Sequence, residues 1–146
     1  MPVFTDKRTR ISVSIPDGWL IKRQGFSPLQ LPGDEDVVIA RSPDDVFRLN
    51  IIMGSTLGID TLEQNRRLFH QYYAGCILKE GTITVDGAEH FVGVYSKGGL
   101  IHKRYVIIKD GKEYAIACAA RFETLDEFEK SAEPAFDNIV LSFRFL

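Results

Sequence analysis

Apolar and polar residues alternate along the first third of the chain in the pattern of half-buried β-strands. The segments that predict strands are Ile11–Ile15, Trp19-Leu20-Ile21, Val37–Arg41 and Phe47–Met53. Pro16-Asp17-Gly18 supplies a turn after the first strand, and Ser42-Pro43-Asp44-Asp45 joins the last two. Residues 25–36 contain two glycines and two prolines, and they therefore predict a loop.

Two later segments have the three- and four-residue spacing of amphipathic helices. The first runs from about Leu62 to Ala74, after a capping box of Thr61 and Gln64 with Asp60 as a competing cap. The second begins at Thr124, and its apolar stripe is Leu125, Phe128, Ala132, Ala135, Phe136 and Ile139. Pro134 removes an internal hydrogen bond, so we expect a kink or a restart there. A last strand is predicted at Leu141–Phe145.

Between the helices, three two-residue turns divide the chain into a meander of four strands. The turns are Asp86-Gly87, Gly98-Gly99 and Asp110-Gly111, which are typical of tight hairpins. Because such a turn fixes the register, the numbers of two paired residues add up to 173, 197 and 221 in the three hairpins. The pairing of the meander can therefore be predicted residue by residue.

This register assigns the side chains of the meander to two faces, because paired residues point to the same side. The core face, which we expect a helix to cover, carries Ile83, Val85, Val92, Val94, Ile101, Tyr105, Ile107, Tyr114, Ile116, Cys118 and Phe122. The second face carries Glu80, Thr82, Phe91, Gly93, Tyr95, His102, Arg104, Val106, Ala115, Ala117, Ala119 and Arg121. Two interpretations remain open for it. It is a shallow groove for a ligand or partner, or its alanines admit the second helix at close range.

Length and charge narrow the class of protein. The 146 residues, 45% hydrophobic and 26% charged, predict one globular domain over residues 1–146, with an ordered core at about 11–145. The net charge of −2 argues against a nucleic-acid partner and against an anionic membrane surface. The basic run Lys7–Arg10 is interpreted as a solvated arm.

The start resembles no signal peptide, and no apolar run reaches the roughly 18 residues of a membrane span. We therefore expect a cytoplasmic protein without stable membrane insertion. The alternative is a periplasmic or lipid-anchored protein that has lost its signal.

The sequence offers no catalytic, metal or cofactor motif. His90 and His102 fall on opposite faces of the meander, and His70 has no His or carboxylate at i+4, so we expect no metal site. There is no nucleophile elbow and no glycine-rich phosphate loop. Cys76 and Cys118 lie in apolar surroundings and favour free thiols over a disulfide. We therefore expect a protein with no cofactor that is not an enzyme.

The order of the elements and several local motifs resemble the PsbP-like fold superfamily. The motifs are Ile11–Ile15 with Pro16-Asp17-Gly18-Trp19, Thr61-Leu62-Glu63, Tyr105 through Asp110-Gly111 to Tyr114 and Cys118, Phe128-Glu129, and Asn138-Ile139-Val140 with Ser142-Phe143. The resemblance spans about residues 11–143. It implies an α+β fold of the α/β/α sandwich type, with a central antiparallel sheet, a four-strand meander and two main helices.

The resemblance also implies a function, because members of this superfamily generally bind another protein without chemistry. They include the photosystem II extrinsic subunit, the yeast Ran-release factor, bacterial lipoproteins and the Eag chaperones of type VI secretion. The Pro-x-x-Trp start and the length are similar to the Eag branch, which implies a homodimer that shelters apolar helices of a secreted effector. We accordingly expect a binding or assembly module. Its expected partner surface on the second face is Phe91, Tyr95, His102, Arg104 and Arg121. The alternative is an exported or lipoprotein-type member that binds a small ligand or an envelope partner.

Overall fold

The structure is a computed structural model that describes residues 2–22 and 35–146. Within these residues the strands are β1 (Val3–Asp6), β2 (Ile11–Ser14), β3 (Leu20–Lys22), β4 (Glu35–Arg41), β5 (Phe47–Ser55), β6 (Ile77–Val85), β7 (Ala88–Lys97), β8 (Leu100–Lys109), β9 (Lys112–Ala120) and β10 (Arg144–Phe145). The helices are α1 (Leu62–Tyr72), α2 (Leu125–Ser131) and α3 (Glu133–Leu141).

A central antiparallel sheet organises the molecule. Over the described residues it has seven strands in the order β3-β4-β5-β9-β8-β7-β6, and a small sheet has the order β1-β2-β10. Helices α2 and α3 and the small sheet pack on the core face, whereas α1 packs on the second face. The predicted α+β fold with the sheet between helical layers is confirmed.

The register of the meander is the one that the turns predict. Ile83 pairs with His90, Tyr95 with His102, and Ile107 with Tyr114, so the three pairing sums hold. The sum changes only at a bulge near Ile77, where β6 begins. Asp86 and Asp110 have positive φ angles of 50° and 52°, as the first residues of such turns require. The two faces of the meander are therefore those that the sequence predicts.

The main core lies between the core face and helices α2 and α3. Tyr105, Ile107 and Ile116 of the sheet are fully buried, as are Phe128 of α2 and Phe136 of α3. Each large apolar side chain buried in this way contributes about 1.5–3 kcal/mol to folding. The expectation that a helix covers this face is confirmed.

The expected restart at Pro134 is confirmed: α2 ends and α3 begins around Ala132, because Pro134 fits the first turn of α3, where its missing N–H costs nothing. The structure corrects three other local predictions. Leu141 belongs to α3, so the last strand contains Arg144 and Phe145 alone. Residues 7–10 form the turn between β1 and β2 rather than an arm, since Phe4 anchors the unpredicted β1 in the core. Of the loop predicted at 25–36, residues 25–34 lie outside the described residues, and the last two belong to β4.

Candidate functional site

Helix α1 covers only one end of the second face. Its Phe69 side chain packs on Gly93 of β7 and on the buried rings of Phe91 and Tyr95, at centroid distances of 5.3 and 5.9 Å. A methyl group on Gly93 would lie 2.5 Å from Cε1 of Phe69 and 2.7 Å from Cε2. Only glycine therefore permits this close approach of helix and sheet.

A carboxylate on the edge strand holds α1 in place. Glu80 of β6 accepts hydrogen bonds from Arg66 Nε at 2.8 Å and from His70 Nε2 at 2.6 Å. Partial burial opposes ionisation, but the hydrogen bonds from His70 and Arg66 outweigh it and lower the pKa of Glu80. The capping box at Thr61 and Gln64 forms as predicted. The contacts of Arg66, Phe69 and His70 thus hold α1 on the side of the sheet where β6 and β7 lie.

An aromatic stack marks the border of the covered region. The Tyr73 ring stacks on Tyr95 at 3.8 Å, and Tyr95 stacks on His102 at 4.8 Å with nearly parallel planes. His102 Nε2 donates to the Lys97 carbonyl at 3.2 Å. Burial lowers the pKa of His102, so this ring is neutral near pH 7. The stack fixes the plane of the His102 ring at the edge of the region that α1 covers.

Beyond His102 a trough runs along β9. Ala117 and Ala119, both half-buried, form its floor, because they occupy alternate positions of β9 on the second face. Ala115 shares this face but is buried. The residues beside Ala119 in the register are Arg48 of β5 and His102 of β8, and those beside Ala117 are Asn50 and Arg104. Arg41 lies next to Arg48 on β4. The structure has a hollow of about 370 Å³ here. We call the surface formed by Arg41, Arg48, Asn50, Arg104, Ala117, Ala119 and Arg121 the arginine groove.

One carboxylate is shared among three arginines at the rim of the groove. Asp45 accepts two hydrogen bonds from Arg48, at 3.2 and 2.9 Å, and Arg121 and Arg41 approach it to 3.6 and 4.0 Å. The hydrogen bonds from Arg48 lower the pKa of Asp45, so it remains ionised. Arg104 of β8, on the other side of the alanine floor, adds a fourth guanidinium group to this surface without contacting Asp45. The groove is therefore positive on a chain whose net charge is −2.

The five residues proposed from the sequence have separate positions. Phe91 and Tyr95 are 5% and 7% exposed beneath α1, so they support that helix and the His102 ring rather than offer a surface. Arg104 is half-buried and has no ion pair or hydrogen bond among the described residues. Arg121 lies at the rim with its side chain 60% exposed. The interpretation that the second helix packs on the alanines is wrong, because α2 and α3 occupy the core face.

Sequence reasoning missed Arg41, Asp45 and Arg48 as members of this surface. They come from β4, β5 and the turn between them, which pair with β9 across a long stretch of chain. The turn at Ser42–Asp45 could have indicated one part of this arrangement, the position of Arg41 opposite Arg48. No local pattern indicates that β5 pairs with β9.

A buried ionic cluster lies on the other side of the sheet. Lys103 of β8, 7% exposed, donates to Glu133 at 2.9 Å and to Asp137 at 2.8 Å, and Tyr105 donates to Asp137 at 2.5 Å. Lys79 also reaches Glu133, at 2.8 Å. Burial raises the pKa of Tyr105, which stays protonated. Because charges and hydrogen bonds are matched, the cluster fastens α3 to the sheet.

The described residues contain no group of three or more His, Cys, Asp or Glu side chains that is placed to hold a metal ion. His90 is buried, accepts from the Ile108 N–H at 3.3 Å through Nδ1, and has no partner for Nε2 within the described part of the chain.

Both cysteines are free thiols, as expected, and burial raises the pKa of Cys118. In the ranges described, none of the helices has the length and apolar character that crossing a membrane requires.

No protein-family model and no curated protein matches the chain. Solved structures do match. Cyanobacterial PsbP (CyanoP) from Synechocystis sp. PCC 6803 has a TM-score of 0.68 at 15% identity, over 99% of this chain and 92% of that one. The Ran-binding protein Mog1p of Saccharomyces cerevisiae has a TM-score of 0.58 at 11% identity, over 99% and 94%. LpqN, involved in cell envelope biogenesis of Mycobacterium tuberculosis, has a TM-score of 0.51 at 17% identity, over 91% and 81%. These structures share the PsbP-like fold, as the sequence motifs predicted.

Proposed function

We propose that this PsbP-like domain is a non-catalytic protein-binding module and that the arginine groove is its partner surface. The observation that carries the proposal is the incomplete cover of the second face: α1 packs over β7, and Ala117 and Ala119 of β9 line a hollow and remain partly exposed. Arginine and exposed apolar surface are both favoured at the centre of protein interfaces. The matched ionic cluster at Lys103 offers no free group for chemistry.

The structural relatives support binding as the coarse function. Mog1p is a Ran-binding protein, and it shares nearly the full length of this fold. The low identity carries the fold alone, so the partner of this chain has to be sought from its own surface.

A narrower form of the proposal is a secretion-associated chaperone of the Eag type, a homodimer that shelters apolar helices of a secreted effector in the cytoplasm. The alanine floor supports it, because small side chains let a helix approach closely. In this form the captured partner is a secreted effector, and light scattering of the complex gives two copies of the chain.

A second candidate is small-ligand binding by an exported or lipid-anchored protein. It is favoured by the hollow of about 370 Å³, which lies within the usual range of small-molecule pockets. Native mass spectrometry of protein purified from its own organism separates the two candidates, because a small ligand adds a constant mass below that of a protein.

The experiment is affinity capture with three versions of the tagged chain. The wild type is compared with Arg48→Glu/Arg121→Glu in the groove and with Lys7→Glu/Lys130→Glu, which changes the charge equally at exposed sites elsewhere. We expect one partner that forms a stable complex with purified wild type and control, and whose affinity falls at least tenfold with the groove variant.

Two results would refute the proposal. One is a wild-type sample with no protein partner that survives purification. The other is a partner that binds all three versions with equal affinity, since its contact surface would then lie outside the groove.

A further inference from the structure

We infer that the arginine groove receives an amphipathic α-helix of the partner, with a stripe of small apolar residues flanked by carboxylates, lying along β9 beside α1. This inference rests on the proposed function and names the chemistry of the partner. It is carried by the spacing of the strands, the composition of the floor and the charge of the rim.

The space beside α1 has the width of one helix. Strands of a sheet lie roughly 4.8 Å apart, so β9 is displaced from β7 by about 10 Å. Packed helices lie about 8–10 Å apart, and a helix with side chains is about 10 Å wide. A second helix over β9 would therefore lie next to α1 without displacing it, and it would fill the trough between the side chains of β5 and β8.

The floor favours a helix over an extended segment. β9 is paired with β5 on one side and with β8 on the other, so its backbone N–H and C=O groups are already used. A segment placed on this face has to satisfy its own backbone hydrogen bonds, which a helix does and a single strand does not. Ala117 and Ala119 offer only methyl groups, so small residues on the incoming helix give the closest packing.

The rim selects for negative charge. Each guanidinium has five N–H donors, whereas Asp45 is one carboxylate shared among Arg41, Arg48 and Arg121. Arg104, half-buried on the other side of the floor, has no carboxylate partner among the described residues. His102 is neutral near pH 7 and adds no charge. Carboxylates on both flanks of a helix would therefore meet Arg48 and Arg121 on one side and Arg104 on the other.

Synthetic peptides test the inference with the full chain. The probe is an 18-residue peptide with an Ala/Leu stripe at helical spacing and glutamates on both flanks, compared with the same peptide carrying glutamines and with one carrying lysines. In fluorescence anisotropy, we expect the glutamate peptide to bind at least tenfold more tightly than the glutamine peptide, and the lysine peptide not to bind. Arg48→Glu/Arg121→Glu should remove this preference, and Lys7→Glu/Lys130→Glu should keep it. Equal binding of the three peptides, or a preference that survives in the groove variant, would overturn the inference.

A photo-crosslinker at Ala119 identifies the occupant in the complex with the captured partner. A crosslink to an acidic helical segment of the partner supports the inference. A crosslink to residues 23–34 of the same chain, to a second copy of the chain, or to a basic or extended segment of the partner refutes it. The last of these results leaves the proposed function standing, because the groove would still bind a protein. If no partner is captured at all, the proposed function itself has failed.

Discussion

Replacing Gly93 with alanine tests whether α1 lies where the structure has it. The new methyl group would lie 2.5 Å from Cε1 of Phe69, well inside van der Waals contact, so the ring and the helix have to move. Overpacking of this kind costs about 1–3 kcal/mol. In a urea unfolding experiment on a chain of this size, such a cost lowers the midpoint by roughly 1 M.

The sign of the effect should reverse when Phe69 is absent. Phe69→Ala alone removes a buried ring and costs about 3–5 kcal/mol. In that background the methyl group meets no ring, and alanine is favoured over glycine in a strand by about 0.5–1 kcal/mol. The double-mutant cycle therefore predicts a coupling free energy of about 1.5–4 kcal/mol between the two positions, far above the few tenths expected for independent sites.

Gly81→Ala is the matched control, because a methyl group at Gly81 of β6 meets nothing within 4 Å. We expect this variant to be neutral or slightly stabilised. If Gly93→Ala is as harmless as Gly81→Ala, or if the costs of Gly93→Ala and Phe69→Ala add, then α1 does not pack on β7. The open trough along β9 would then have no basis.

The remaining predictions concern charge. Arg104→Glu should weaken partner binding at least tenfold in a titration. Its unfolding midpoint should equal that of the control variant Arg67→Glu. A much lower midpoint for Arg104→Glu would show that Arg104 has a structural role instead. Burial lowers the pKa of the His90 side chain below 6.5. As the pH falls, this side chain therefore becomes protonated in the unfolded chain before it does so in the folded chain. The free energy of unfolding keeps its full value above pH 6.5 and decreases below it. His90→Gln should flatten the loss of unfolding free energy between pH 7 and pH 5, a loss of at most about 1.4 kcal/mol per pH unit for one proton; an unchanged slope would contradict this. Lys103→Met removes the buried cation that pairs with Glu133 and Asp137, so it should lower the free energy of unfolding in urea by about 3 kcal/mol. Lys79→Met should lower it by less. Equal small losses in the two variants would refute the role of the cluster.

Local chemistry made the meander predictable. The turn at Asp86-Gly87 admits one register, so the position of His90 opposite Ile83 follows from counting residues. The same counting placed Ala117 and Arg104 side by side. Helix caps were equally local, because Thr61 and Gln64 form their box within a single turn.

Contacts between distant segments were not predictable in this way. The pairing of Leu49 with Cys118 depends on the closing of the whole sheet, and no turn joins β5 to β9. The packing of Phe69 on Gly93 likewise decides which part of the second face stays open, yet the sequence shows only an aromatic residue and a glycine. Lys103 breaks the apolar pattern of the core face because its partners, Glu133 and Asp137, come from a helix on the same side. The sequence therefore predicts that Arg104 and Arg121 lie on the second face, but it does not predict that Arg41 and Arg48 lie beside them.

The most direct test of the arginine groove is alanine-methyl NMR of the complex. The chain carries ¹³C-labelled alanine methyl groups, and the captured partner is added unlabelled. We predict that the Ala117 and Ala119 methyl signals shift or broaden at stoichiometric partner, while Ala132 and Ala135 on the core-face side stay unchanged. Shifts confined to Ala132 and Ala135, with Ala117 and Ala119 unaffected, would contradict the account and place the partner on the opposite side of the sheet.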